Sequence, residues 1–439
     1  MTERSQFSLL SSRRFLPYFV TQFLGAFNDN VFKQALILAI LFKMGTLRID
    51  ANVLINLCAL LFILPFFLFS ALGGQLGEKY PKHRLIRLIK FAEIIIMLTG
   101  AASVLLSSLP LMLAVLFATG VQSSLFGPVK YSILPQQLTD QELTGGNALV
   151  EMGTFLAILG GTLFAGLLLS AQQWAIWVSV SVVALALLGF FASLAIPYTA
   201  AAMPELRLDW NMLRQSVAVL RMGLKEQSRL VSRALLANSW FWFLGATYLA
   251  QIPNFTRQYL HGEETVVTLI LALFSIGIAV GSLLCERLSG KVLALGLVPL
   301  GAAGLTLFGL LLWFTTGYLD LGAGTLNWTV LLEQPAAWWV LGCILGLGVS
   351  GGFYVVPLYA LIQARTALEQ RSRVIAANNI LNALLMVISA VFAMLMLGVI
   401  GISIPQLFMV VSLLNVLFSL YLFIAVPEFT QRLRSGAGL

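Results

Sequence analysis

Charge is scarce in this chain. Of its 439 residues only 10% are Asp, Glu, Lys or Arg, where a soluble domain carries about 25% to solvate its surface. The shortage excludes an ordinary water-facing globule. Histidine is scarcer still: His83 and His261 are the two, neither has an acidic residue five positions later, and no Ser/His/Asp grouping falls at one membrane depth. A membrane acyltransferase is therefore not expected, nor any other enzyme. No Gly-x-x-x-x-Gly-Lys-[Ser/Thr] run occurs and the loops are too short for a nucleotide domain, which excludes a single-chain ATP-driven pump. Cysteine amounts to Cys58, Cys285 and Cys343, in or beside apolar runs, so neither a disulfide framework nor a metal cluster is expected. No cofactor is implied. The basic residues are spread over loops without a recognition motif, and no nucleic-acid partner is expected.

Long apolar runs are what the chain does have. Hydrophobic residues make up 59% of it and the mean hydropathy is +0.93, so lipid must solvate most of its surface. Runs of the length that spans a bilayer fall at 15–42, 52–76, 85–107, 111–134, 147–170, 174–196, 232–256, 266–284, 292–314, 336–363, 374–398 and 404–426. The expectation is an all-α membrane protein with twelve transmembrane helices. Residues 1–14 are polar and no small-residue cleavage site follows, which argues against a removed signal peptide. With the N-terminus inside, 21 of the 26 Lys and Arg residues fall on that side, including five at 77–90, and only Lys43, Arg48 and Arg257 on the other. Lys33 and Lys130 stay within spans. That asymmetry predicts both termini in the cytoplasm.

Residues 197–231 divide the spans six and six. The predicted organisation is an N-terminal bundle over 1–196, an amphipathic linker over 197–231 and a C-terminal bundle over 232–439. Within the linker Leu206, Trp210, Leu213, Val217 and Leu220 recur at helical spacing among charges, which suggests a helix on the inner membrane surface; a plain solvated tether is the alternative. Internal similarity supports two related halves. Phe23-Leu24-Gly25-Ala26 in helix 1 recurs as Phe243-Leu244-Gly245-Ala246 in helix 7, and Gly73 with Glu78-Lys79 recurs as Gly281 with Glu286-Arg287. Gly145-Gly146-Asn147-Ala148 entering helix 5 corresponds to Ala376-Ala377-Asn378-Asn379 entering helix 11. Such repeats put a substrate site between the halves near the midplane.

The stretch from Gly74 through Gly77, Glu78, Lys79, Lys82 and His83 to Arg84 resembles the loop 2–3 signature of the major facilitator superfamily. Glu78 stands where that pattern has Asp, and Pro81 where it has Gly. Within the superfamily, Gln22-Phe23-Leu24-Gly25-Ala26-Phe27-Asn28-Asp29-Asn30 is similar to the first helix of the bacterial lysophospholipid transporter family. Phe126-Gly127-Pro128-Val129-Lys130-Tyr131 resembles its fourth helix, and Leu143-Thr144-Gly145-Gly146-Asn147-Ala148-Leu149-Val150-Glu151 its fifth. Arg371-Ser372-Arg373 through Asn379 resembles a C-half segment of relatives, some fused to acyltransferase and acyl carrier protein synthetase domains. The resemblance implies two pseudo-symmetric six-helix bundles and a flippase. Its substrates would be lysophosphatidylethanolamine and lysophosphatidylglycerol, carried to the inner leaflet for reacylation by such an acyltransferase/synthetase partner. A proton-coupled exporter of drugs or other amphiphiles is the alternative, since a desolvated Asp29 could carry a proton.

Charges within the bilayer cost roughly 2.5–3.5 kcal/mol on insertion scales, so those kept there point to working residues. Asp29 and Lys33 lie four apart on helix 1, in the order that favours an ion pair. Flanked by Asn28 and Asn30, they could exchange that pair for two with a phosphoethanolamine head. Lys130 and Arg257 complete the expected substrate-binding set. Glu151 is the expected partner of Lys130, and gating is assigned to Glu78, Lys79, Arg84, Lys130, Glu151 and Asn382. Small residues recur every four positions in helix 5, at Gly153, Ala157, Gly161 and Ala165, and in helix 8 at Gly277 and Gly281. Close approach of these faces would make a lateral seam for the acyl tail; tight packing alone is the other reading.

Overall fold

The apolar runs become helices because no water is present in a bilayer to satisfy free backbone N–H and C=O groups, and a helix satisfies them within one segment. The computed structural model describes residues 6–43, 51–289, 293, 295–319 and 324–435. Arg4, Arg48 and Lys291 of the charge pattern lie outside the described residues, as do the side chains of Arg432 and Arg434. Twelve long helices stand among the described residues: α1 (Leu16–Phe42), α2 (Ala51–Lys79), α3 (Lys82–Leu105), α4 (Leu109–Ser132), α5 (Asp140–Ser170), α6 (Trp174–Leu194), α7 (Arg229–Tyr259), α8 (Glu264–Ser289), α9 (Leu297–Thr316), α10 (Pro335–Arg365), α11 (Arg371–Met394) and α12 (Ile404–Ala425). Ten of them are long and apolar enough to cross a membrane. The other two, α1 and α7, have 27 and 31 residues, about 40 and 46 Å of helix, and carry more polar residues. They are the first helices of the two halves.

Several helices begin earlier than the apolar runs predict. α5 starts at Asp140 rather than 147, and α3, α7 and α11 start three residues early. Apolarity marks where hydrocarbon begins, whereas the helical hydrogen-bond ladder continues into the polar boundary. A short linker helix, Met212–Arg221, follows α6, with Asn211 accepting the Arg214 backbone N–H as its N-cap.

The chain forms two compact units. The first comprises Met1–Thr139, Leu156–Gln227 and Gln363–Ile380; the second comprises Asp140–Phe155, Ser228–Ile362 and Leu381–Leu439. In the first unit α2 packs on α4 and α3 on α6, around an apolar core that includes Val31, Phe32, Met97, Leu116, Val178 and Val182. In the second, α9 packs on α12, the pair six helices further on from α3 and α6. Glycine contacts repeat in the same way. A Cβ on Gly73 of α2 would stand 2.8 Å from the Leu125 carbonyl oxygen of α4. One on Gly281 of α8 would collide with the Val349 carbonyl oxygen of α10. Both helix pairs therefore meet backbone to backbone at a glycine, the approach that small residues permit in a membrane.

Candidate functional site

Lys90 and Glu93 stand three apart on α3 and share a face. They form an ion pair at 2.5 Å with side chains 0% and 1% exposed. Such a pair repays its desolvation only if further hydrogen bonds saturate it, and α1 and α4 supply them. Glu93 accepts from Gln122 Nε2 at 3.1 Å and from Asn28 Nδ2 at 3.3 Å, and Asn28 also donates to the Val182 carbonyl at 3.1 Å. The Lys90 ammonium lies 5.4 Å from the Phe126 ring centroid, a cation–π contact. It fills a notch at Gly25, where a Cβ would collide with it. One residue along α4, Ser123 Oγ donates to Asp29 Oδ2 at 2.5 Å. Asp29 Oδ1 is buried without a hydrogen-bond donor among the described residues. The network thus holds Asp29 from one side and leaves its second oxygen available.

Sequence reasoning missed this network. It counted Lys90 only among the inner-side charges at 77–90 and gave Glu93 no role, although both lie within the predicted span 85–107 and within α3. The signal was present as a lysine and a glutamate three apart inside an otherwise apolar run.

The expected Asp29–Lys33 ion pair is not made. Asp29 is bonded to Ser123, and the Lys33 ammonium lies over the Phe62 ring, 5.1 Å from its centroid. Spacing put both on one face, but α2 and α4 supply each with a different partner. Asn30 donates to the Ala26 carbonyl of its own helix at 2.7 Å, and Asn28 is engaged by Glu93. Lys130 is buried with its ammonium 5.0 Å from the Tyr131 ring centroid, while its carbonyl accepts from Tyr18 Oη at 2.7 Å. Arg257 is exposed near the end of α7, away from the network's residues in sequence and unit.

Among the residues expected to gate, Glu78 is fully buried and has a defined partner that the sequence did not suggest. Arg373 Nε donates to Glu78 Oε2 at 2.5 Å and the Arg373 backbone N–H to Oε1 at 3.1 Å. Beside this pair Ser372 Oγ donates to Ser132 Oγ at 3.0 Å, and Gly74 admits the α11 backbone, where a Cβ would lie 3.0 Å from Arg373 Cα. Lys79 donates to the Leu206 carbonyl at 2.8 Å. Arg84 is exposed, Glu151 is buried, and Asn382 accepts from Ser239 Oγ at 2.8 Å.

Residues 18–384 match the family model of the Major Facilitator Superfamily. The chain belongs to that superfamily. Curated relatives named Lysophospholipid transporter LplT, from Escherichia coli O157:H7 (strain EC4115 / EHEC) and from Shigella boydii serotype 4 (strain Sb227), are each 28% identical over 349 residues. The alignments cover 79% of this chain and 79% of each relative. Among solved structures, the human organic anion transporter MFSD10 (TETRAN) matches with a TM-score of 0.69 at 16% identity, over 93% of this chain and 99% of that one. The proton:xylose symporter XylE bound to 6-bromo-6-deoxy-D-glucose matches with a TM-score of 0.68 at 12% identity, over 95% of each chain. At these identities the likeness is one of fold. The chain is an all-α, multi-pass membrane transporter of the major-facilitator type.

Within this superfamily fold, the small residues of α5 and α8 take neighbours other than the expected ones. A Cβ on Gly161 would lie 2.5 Å from the Phe27 carbonyl oxygen and 3.1 Å from Asn30 Cβ, both on α1. Ala165 belongs to the core with Val31, Phe32 and Ala35. Gly277, like Gly281, abuts α10, where a Cβ would stand 2.6 Å from the Leu345 carbonyl oxygen. Gly153 and Ala157 are buried. Gly161 and Ala165 pack tightly on α1, and Gly277 and Gly281 on α10, as the packing reading of their spacing has it. Gly161→Leu and Gly281→Leu should therefore lower stability by about 1–3 kcal/mol or more, because each new side chain meets backbone. Loss of monodisperse protein on heating, measured by size exclusion, checks this; stable but transport-dead variants would restore the seam.

Proposed function

We propose that this chain is a lysophospholipid transporter of the bacterial inner membrane. It moves lysophosphatidylethanolamine and lysophosphatidylglycerol from the outer to the inner leaflet, with both termini cytoplasmic, for reacylation by a downstream acyltransferase. The observation that carries the reading is the set of LplT relatives, 28% identical over 79% of the chain. The polar residues of α1 give it chemistry. Asp29 Oδ1 is a buried acceptor with no donor among the described residues, suited to an ethanolamine ammonium. The Lys33 cation, lying over the Phe62 ring, can pass to a phosphate. Asn28, Asn30, Lys130 and Arg257 complete the proposed binding set, Asn28 by fixing the wall behind Asp29.

An acyl tail drawn through an aqueous pore would expose apolar area at about 25 cal/mol per Å². In the proposed cycle the tail stays in lipid, the head crosses the polar interior, and a lateral opening accompanies alternating access. Glu78 with Arg373 forms one proposed gate on the linker's side; Lys130, Glu151 and Asn382 are proposed to act in gating as well.

A headgroup-resolved flipping assay in reconstituted vesicles tests the proposal. Wild-type protein should flip lysophosphatidylethanolamine, and Asp29→Ala should lose about 10–100-fold in rate, the worth of one charged hydrogen bond, at unchanged expression. Wild-type rates in that variant would remove Asp29 from the site. The unpartnered Asp29 oxygen also favours a second reading, a proton-coupled exporter of amphiphiles. Transport abolished by dissipating the proton gradient would select it.

A further inference from the structure

The linker is more than a tether. It runs antiparallel to α2 and is bonded to it along its length: the Met203 backbone N–H donates to the Glu78 carbonyl at 2.8 Å and Lys79 to the Leu206 carbonyl at 2.8 Å. Further along, the Asp209 backbone N–H donates to Gln75 Oε1 at 2.9 Å, and Ser216 Oγ to the Phe67 carbonyl at 2.7 Å. Val219 is buried with Ala71 of α2 and with Ala377 and Ile380 of α11.

Three stripes follow from the helical period, each spaced i, i+4, i+7. Met212, Ser216 and Val219 make the docked stripe. Leu213, Val217 and Leu220 make the next, and Leu213 and Val217 are 69% and 67% exposed, continued by Trp210 at 66%. The third holds Arg214 and Arg221, both exposed, with Arg207 exposed ahead of the helix. Arg214 and Arg221 touch Asp209 and Glu226, but those pairs are solvent-exposed and of the kind worth little. The Asp209 carboxyl is held below its ordinary value by the Asn211 backbone N–H, Gln215 and Arg214, so it stays an anion and caps one arginine only.

An apolar stripe beside a basic one, on a helix fastened along the C-terminal half of α2, matches the boundary between acyl chains and anionic headgroups. We propose that the linker helix is a docking surface for anionic phospholipid of the adjacent leaflet. Trp210, Leu213 and Val217 enter the acyl boundary, and Arg207, Arg214 and Arg221 take the phosphates. Lipid seated there braces the end of α2 that carries Glu78. The inference stands on the chain being a multi-pass membrane protein and not on what it carries.

The test uses full-length protein in nanodiscs of phosphatidylcholine with or without phosphatidylglycerol, and bimane on Val217→Cys; Cys58, Cys285 and Cys343 are buried. Phosphatidylglycerol should shift the bimane emission to the blue, protect it from an aqueous quencher and raise the melting midpoint. Each Arg→Gln change at 207, 214 or 221 should weaken that association about fivefold, the triple change should abolish it, and the triple Arg→Lys variant should keep it. High salt should weaken it in wild type, an arm that holds even if the triple Gln variant fails to fold. Equal quenching in both lipids, a lipid response surviving in the triple Gln variant, or the same shift with inorganic phosphate alone would overturn the proposal.

Discussion

Lys90→Met should be the most damaging single substitution in the first unit. Removing the ammonium leaves Glu93, 1% exposed, as a buried charge whose remaining donors are two amides, and breaking a buried pair from one side costs about 3–5 kcal/mol. That is a large share of the stability of any protein. Adding Glu93→Gln should recover part of the loss: the new side chain is neutral, and its one carbonyl oxygen can keep one of the two bonds that Asn28 and Gln122 now make to separate carboxylate oxygens. The comparison of wild type, both single variants and the double variant, by monodispersity after heating, isolates the pair. A Lys90→Met protein as stable as wild type would mean that the pair contributes nothing. A double variant that is stable but transports poorly would show that the network also sets the orientation of Asp29 through Gln122 and Ser123.

The second large effect is expected at Glu78 and Arg373. Truncating one partner of a buried, hydrogen-bonded charge pair costs about 2–5 kcal/mol. Spread over a two-state equilibrium, even the lower figure changes the population of the latched state about thirtyfold. Glu78→Gln and Arg373→Ala should each lower the flipping rate strongly while leaving insertion and expression near normal. The charge reversal Glu78→Arg with Arg373→Glu should restore only part of it, because the Arg373 backbone N–H also donates to Glu78 Oε1 and the swap cannot return that bond. Additive losses with no rescue would remove the latch, leaving two independent packing residues.

The two pairs also divide what could be read from the chain from what could not. The twelve long helices were legible, because lipid acts on each segment separately. Every span must carry its own run of apolar residues, whatever it packs against. The motif around Asp29 was legible for the related reason that a charge in such a run is anomalous by itself. Partnership was not legible. Lys33 shares a helical face with Asp29, yet Ser123 and Phe62 take their ends; Gly161 is spaced like a seam residue and lies on α1; Glu78 finds its cation 295 positions away. Sequence by itself determined that this is a bundle of bilayer-spanning helices with polar residues retained on the first of them. Only tertiary structure decided which of those residues meet, because a partner depends on how each helix is rotated and how deeply it is set against its neighbours. A rotation of about 100°, one residue step, replaces every partner without altering the apolar run that lipid selects.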